Sequence, residues 1–173
     1  TAAFRSQLGP VIRLALAEKE SASFNPLESV RKGDLEVRDV QNIVEIIADP
    51  HGDGRNKDFW DQSAKSVLVG LILHVLYAEE EKTLKRVFEL LADFDQTIKQ
   101  MESTYHLQNP FTGAPETHPA VARGAKSYRT YHDKLRAGIK ATAESYLTLF
   151  DDPLIQKHTK RSDFSIDDLM CAE

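Results

Sequence analysis

The sequence predicts a mainly α-helical fold: a helical bundle around a buried central helix, with short β stubs at the termini. Three observations carry this expectation. Residues 58–77, DFWDQSAKSVLVGLILHVLY, place Phe59, Trp60, Ser63, Ala64, Val67, Leu68, Leu71, Ile72, Val75 and Leu76 at three- and four-residue steps. Beyond Val67 almost every face of that helix is apolar, so a rod ~30 Å long must be covered by protein on nearly all sides. Shorter stripes of helical period flank it on both sides, and strand-like runs occur only near the two ends. A membrane span is the competing reading of the central stretch, and it fails on length. The uninterrupted apolar run is only 67–77 with His74 inside it, whereas a span needs ~20 residues.

The totals set limits. A chain of 173 residues, 41% apolar and 28% charged, has the size and composition of one soluble globular domain. Its net charge of −5 excludes whole-surface attraction to nucleic acid but leaves room for a local basic patch. The single cysteine, Cys171, excludes an internal disulfide framework and fits a reducing compartment. Neither a signal peptide nor a spanning segment is evident, and the start at Thr1 hints at an excised or processed piece.

In chain order, residues 1–7 suit the last turns of a helix. Residues 10–17 (PVIRLALA) read as a short strand, which needs a sheet to satisfy its backbone. Phe24-Asn25-Pro26-Leu27 is a turn, with the proline holding Asn25 extended. Gly33-Asp34 punctuates, Asp34 is a candidate N-cap, and Val37, Val40, Val44 and Ile47 form the inner stripe of a helix ending at Asp49-Pro50. Residues 49–58 (DPHGDGRNKD) are a loop whose aspartates and His51 invite a calcium reading. The twelfth position of that register is Trp60 rather than glutamate, so a solvated turn with Asp58 near the next helix start fits better.

Glu79-Glu80-Glu81-Lys82 breaks the chain after the central helix. Leu84, Val87, Phe88, Leu91, Phe94, Ile98 and Met101 then carry a stripe to Ser103, bent near residues 93–95. Residues 105–119, with three prolines and a glycine, read as a loop holding His106 and His118 without metal-ligand spacing. Tyr128, Tyr131, Leu135, Ile139, Thr142, Tyr146 and Phe150 share one helical arc further on. Arg123, Lys126, Arg129, Lys134, Arg136 and Lys140 fall roughly opposite, on a face that Gly124 and Gly138 are expected to split between two helices. Residues 153–160 form a short helical tail. Residues 164–166 offer a second strand stub, and Ser165 a cap for a turn over 166–170.

No catalytic constellation emerges. Gly52 and Gly54 follow a helix and lack the spacing of a phosphate-binding loop before Arg55 and Lys57. Serines and histidines show no triad signature, Cys171 has no electropositive neighbour, and His74 fits a hydrogen-bonded core position. The basic arc is what remains. Its six cations stand against one acid, Asp133, and read either as a solvated helix face or as a dock for phosphates or an acidic protein segment. Tyr128, Tyr131 and His132 are interleaved with it, although the tyrosines suit the core arc better than base stacking.

The order of motifs resembles the TraG/TraD-type coupling proteins of type IV secretion and conjugation. The motifs are Phe24-Asn25-Pro26-Leu27, Arg38-Asp39-Val40-Gln41-Asn42-Ile43 and Asp49-Pro50, then Asp58-Phe59-Trp60-Asp61-Gln62-Ser63-Ala64 leading into Val69-Gly70-Leu71-Ile72-Leu73-His74-Val75-Leu76-Tyr77. Ser145-Tyr146-Leu147, Leu149-Phe150-Asp151-Asp152-Pro153 and Ser162-Asp163-Phe164-Ser165-Ile166-Asp167-Asp168-Leu169-Met170 complete the run. The resemblance implies a membrane-anchored, hexameric, RecA-like ATPase whose nucleotide-binding domain is interrupted by an all-α domain.

On that footing residues 24–160 would be the all-α domain, with 1–23 and 161–173 as flanks leaving and rejoining the nucleotide-binding domain. The family's Walker A and Walker B motifs lie outside this region, so no catalysis is expected here, and ATP and Mg belong to the parent protein. The expected role is recognition of substrates: relaxase, accessory relaxosome proteins, secreted effectors and DNA, at the cytoplasmic face of the bacterial inner membrane, without membrane contact by this segment. Other type IV secretion components are expected as partners of the parent. The alternative is a structural insertion that braces the hexamer or regulates its ATPase.

Overall fold

The computed structural model describes residues 11–52, 54 and 58–167. Residues 11–23 form no strand. The Ala22 N–H donates to the Arg13 carbonyl at 2.9 Å and the Ala15 N–H to Ser21 Oγ at 2.8 Å, so the segment doubles back. The expected stub at 10–17 is thereby corrected over its described part, residues 11–17; Pro10 lies outside the described residues. Among the described residues no second strand runs beside it, and a strand without a ladder partner has no reason to persist. Leu16 packs against the core while Val11, Ile12 and Leu14 stay exposed.

The body begins with a 3-10 turn at Pro26–Ser29, capped by Asn25, whose Oδ1 accepts from the Leu27 N–H at 3.0 Å. Helix α1 (Glu36–Ala48) buries Val40 and Val44, with Val37 and Ile47 half-buried. Its N-cap is Leu35, not the expected Asp34. Gly33, at φ +99°, turns the chain so that its own N–H meets Glu36 Oε2 at 3.1 Å, and the helix starts one residue later than a capping Asp34 would allow. After a turn in which Asp49 Oδ2 accepts from the Gly54 N–H at 2.8 Å, helix α2 (Phe59–Ala78) runs through the centre, its N-terminus capped by Asp58. Ala64, Leu71, Leu73 and Val75 have no exposed surface. Phe59, counted in the inner stripe by its spacing, is 47% exposed and rests edge-on against Tyr131.

Helices α3 (Leu84–Ala92) and α4 (Phe94–Ser103) are the two halves of the predicted bent stripe, broken at Asp93. The segment expected to be a loop contains a minimal antiparallel hairpin, β1 (Leu107–Gln108) with β2 (Pro115–Glu116), paired Leu107 to Glu116 and Gln108 to Pro115. Asn109 Oδ1 accepts from the N–H groups of Phe111 and Thr112, and Gly113 at φ +69° completes the turn. Helices α5 (Pro119–Thr130) and α6 (Asp133–Leu147) follow, then a 3-10 turn and α7 (Pro153–Thr159).

Helix α2 packs chiefly against α5, α1 and α6. At the α2–α5 crossing Gly70 and Gly124 face each other, and a Cβ on Gly70 would lie 3.3 Å from the Ala120 carbonyl oxygen. Small residues thus let the two backbones approach.

The chain's incoming and outgoing segments are laced together. The Phe24 N–H donates to the His158 carbonyl at 2.8 Å, the Asp163 N–H to the Ser23 carbonyl at 2.9 Å, and the Ser23 N–H to Asp163 Oδ2 at 2.8 Å. Phe24 stacks on Phe164 with centroids 5.4 Å apart. Residues 164–166, expected as a second strand, instead bend into a helical turn starting at Ile166. The only sheet among the described residues is the hairpin, so the terminal β stubs are absent from them. The helix expected over residues 1–7, the turn residues 168–170 and Cys171 lie outside the described residues, as do Asp53, Arg55 and Lys57.

Candidate functional site

The basic arc divides between α5 and α6, as its weak continuity suggests, but not at a glycine. The break falls at Tyr131-His132, where Tyr131 is extended and His132 caps α6 through its Nδ1, accepting from the Leu135 N–H at 3.4 Å. Gly124 and Gly138 remain helical and serve close packing instead. Tyr128, Ile139 and Phe150 are buried as the apolar arc predicts, and Tyr146 is half-buried with its hydroxyl on buried Asp61.

The six cations separate into two kinds. Arg123, Lys126 and Lys134 are exposed and form no ion pair with the described residues. The other three reach neighbouring groups. Arg129 meets Glu102 of α4 at 2.6 Å. Arg136 bridges Asp133 and Asp95, the latter at 3.3 Å. Lys140 Nζ lies 3.5 Å from Glu144 and donates to the Ala92 carbonyl at 3.1 Å. The hydrogen bond to Asp133, above all, raises the Arg136 pKa and in return lowers that of Asp133. Such exposed pairs are screened by solvent, so they hold side-chain positions more than they stabilise the fold.

Two depressions adjoin the arc. One, about 360 Å³, is lined by Asp95, Ile98, Lys99, Arg129 and Arg136. It brings in Lys99, which the helical wheel of residues 119–150 could not include because only the packing of α4 on α5 places it there. The other, about 310 Å³, runs between α1, α2 and α5 past Val37, Val44, Lys65, Val69 and Arg123. Lys65 is engaged there by Asp61 and Glu45, both at 3.0 Å, leaving Arg123 as the cation available to a ligand.

This face can attract and orient an anion. Among the described residues no group of three or more His, Cys, Asp or Glu side chains is arranged to hold a metal ion. Nor is any described helix long and apolar enough to cross a membrane.

The described residues thus form a mainly helical body whose entering and leaving segments meet and whose basic face is divided between two helices. The chain belongs to the family described as Type IV secretory system Conjugative DNA transfer, which matches residues 1–173. Two similar curated proteins are each named Conjugal transfer protein TraG, from Escherichia coli. One is 34% identical over 166 residues, covering 92% of this chain and 26% of that protein; the other is 34% identical over 152 residues, covering 85% and 23%. The chain thus spans about a quarter of the length of the curated relatives it matches. No solved structure gives a significant match.

Proposed function

We propose that this chain is the all-α, substrate-receiving domain of a TraG-type coupling protein, contacting relaxosome proteins, effectors or DNA on behalf of a larger ATPase. The observation that carries the reading is the lacing of residues 23–25 to residues 158–163. A body whose two ends meet can be carried as an insertion in another domain without disturbing its own packing. On this reading residues 24–160 are the receiving body. The flanks, the RecA-like fold, ATP, Mg, the hexamer and the inner-membrane anchor belong to the parent protein. The contribution here is binding rather than catalysis.

The exposed, unpaired cations Arg123, Lys126 and Lys134 are the proposed contact residues, with Arg129, Arg136 and Lys140 as a framed border. Replacing the first three by glutamate removes no internal ion pair, so thermal unfolding should stay within a few degrees of the parent chain. Affinity for cognate relaxosome proteins or single-stranded DNA, titrated across salt, should fall at least tenfold. Unchanged affinity with an unchanged salt slope would remove the arc from the binding surface.

A second reading is favoured by the Arg129–Glu102 and Arg136–Asp95 pairs, which strut α5 and α6 against α4. They suit a rigid spacer that braces the assembly. Deleting the domain from the full-length protein separates the two: lost hexamers indicate bracing, whereas intact hexamers with lost substrate capture indicate recognition.

A further inference from the structure

We propose that Glu36, His74, His106 and His118 form a proton-sensitive latch that holds the hairpin arm, residues 104–118, on the helical body and frees it when His106 or His74 is protonated. The argument rests on where each ring must carry its hydrogen. His118 Nδ1 accepts from the Ala120 N–H at 3.0 Å, so its hydrogen is on Nε2, which lies 2.9 Å from Glu36 Oε1. His106 Nδ1 accepts from the His118 N–H at 3.3 Å, so its Nε2–H points at His74 Nδ1, 2.8 Å away. All three Nδ1 atoms are therefore acceptors facing donors. A proton added to Nδ1 of His106 or of His74 sets a donor against a donor and breaks one of the two bonds that run through His106.

The surroundings bias His74 and His106 toward neutrality. Burial lowers the His74 pKa, opposed by the charge of Glu79. Burial, then the neighbouring His74 and His118, pushes His106 down to about 4. Glu36 also accepts from the Tyr77 hydroxyl at 2.5 Å and the Gly33 N–H, while Lys32 Nζ sits 4.8 Å over the Tyr77 ring. These groups face the imidazoles from α1 and the segment before it, and from α2 and its C-terminal cap.

Besides these bonds, the Tyr77 ring contacts His106 and His118, and the arm's two ends run on into α4 and α5. Between those ends its hydrogen bonds close on itself, among them His106 N–H to the Glu116 carbonyl, Asn109 N–H to the Ala114 carbonyl and Thr117 Oγ1 to the Thr104 carbonyl. Phe111 at its tip is 95% exposed. Opening the latch thus frees a preformed hairpin as a unit rather than unravelling it.

For His106 the folded pKa lies below the ordinary value of 6.5, so the latch is fully closed above pH 6.5 and weakens as pH falls toward about 4. Amide hydrogen exchange across residues 106–117, corrected for its intrinsic pH dependence, should quicken by up to about tenfold per pH unit through that window. Far-UV dichroism and Trp60 fluorescence should not change alongside it. Long-range nitrogen–proton NMR of the unmodified chain at pH 7.5 should find His106 and His118 as Nε2–H tautomers. His106→Phe keeps a ring but cannot titrate, so its arm should exchange quickly and independently of pH.

Three results would each overturn the latch: flat exchange in the unmodified chain, a pH step that survives in His106→Phe, or loss of arm and body together. The opposite tautomer on either ring would do the same without any variant.

Discussion

At the scale of single residues, the tightest fit is Gly138 against Trp60. A Cβ at Gly138 would come within 2.5 Å of the indole Cζ3 and 2.9 Å of Cε3. Alanine ordinarily favours a helix interior over glycine by about 1 kcal/mol. Here the clash must displace an indole or push α6 off α2, at about 1–3 kcal/mol for overpacking. Gly138→Ala should therefore lower the melting temperature, with a blue or red shift of Trp60 emission marking the displaced ring. This use of Gly138 is invisible in the sequence, where glycine at that position reads as a helix breaker. The histidines show the same limit: His74, His106 and His118 meet only in the fold, and no local spacing announces them.

At the scale of elements, caps and breaks explain why the helices start and stop where they do. Asp58 opens α2 by accepting the Asp61 N–H at 2.9 Å, and Asp152 opens α7 by accepting from Leu154 and Ile155. Asp58→Ala should cost about 1 kcal/mol in chemical denaturation, and Asp58→Asn should recover most of it. The central helix, its cap and the break at Asp93 were legible because apolar period and acidic cap residues are local signals. The break at Tyr131-His132 was not, since neither residue is a helix breaker; in the fold Tyr131 rests edge-on against Phe59 and His132 caps α6. The apolar run at 11–17 misled because hydrophobic residues without a partner strand carry no information about pairing. Conversely, the hairpin at 107–116 has strands too short to register as a pattern, and its Asn109–Gly113 turn is the stronger signal.

At the scale of the whole molecule, Asn25 joins three distant pieces of chain. Its side chain accepts from Leu27, donates to the Lys82 carbonyl at 2.9 Å and lies 3.4 Å from the Lys160 carbonyl, all at 2% exposure. Asn25→Ala leaves the buried Leu27 N–H without its acceptor and removes the donor to the Lys82 carbonyl, so the denaturation midpoint should drop by the equivalent of about 1–3 kcal/mol. Cleavage near residues 158–163 by a nonspecific protease should appear at the same time. The family could be read from ordered motifs along the entire chain, and the match over residues 1–173 bears that reading out. The electrostatic border of the basic arc could not, because Glu102 and Asp95 join it only across helix interfaces.

Since the amide of Phe24 and the carbonyl of His158 lie 2.8 Å apart, everything between them starts and finishes at one point in space. Joined head to tail by a short linker across that gap, the span would close into a ring with its internal packing unstretched.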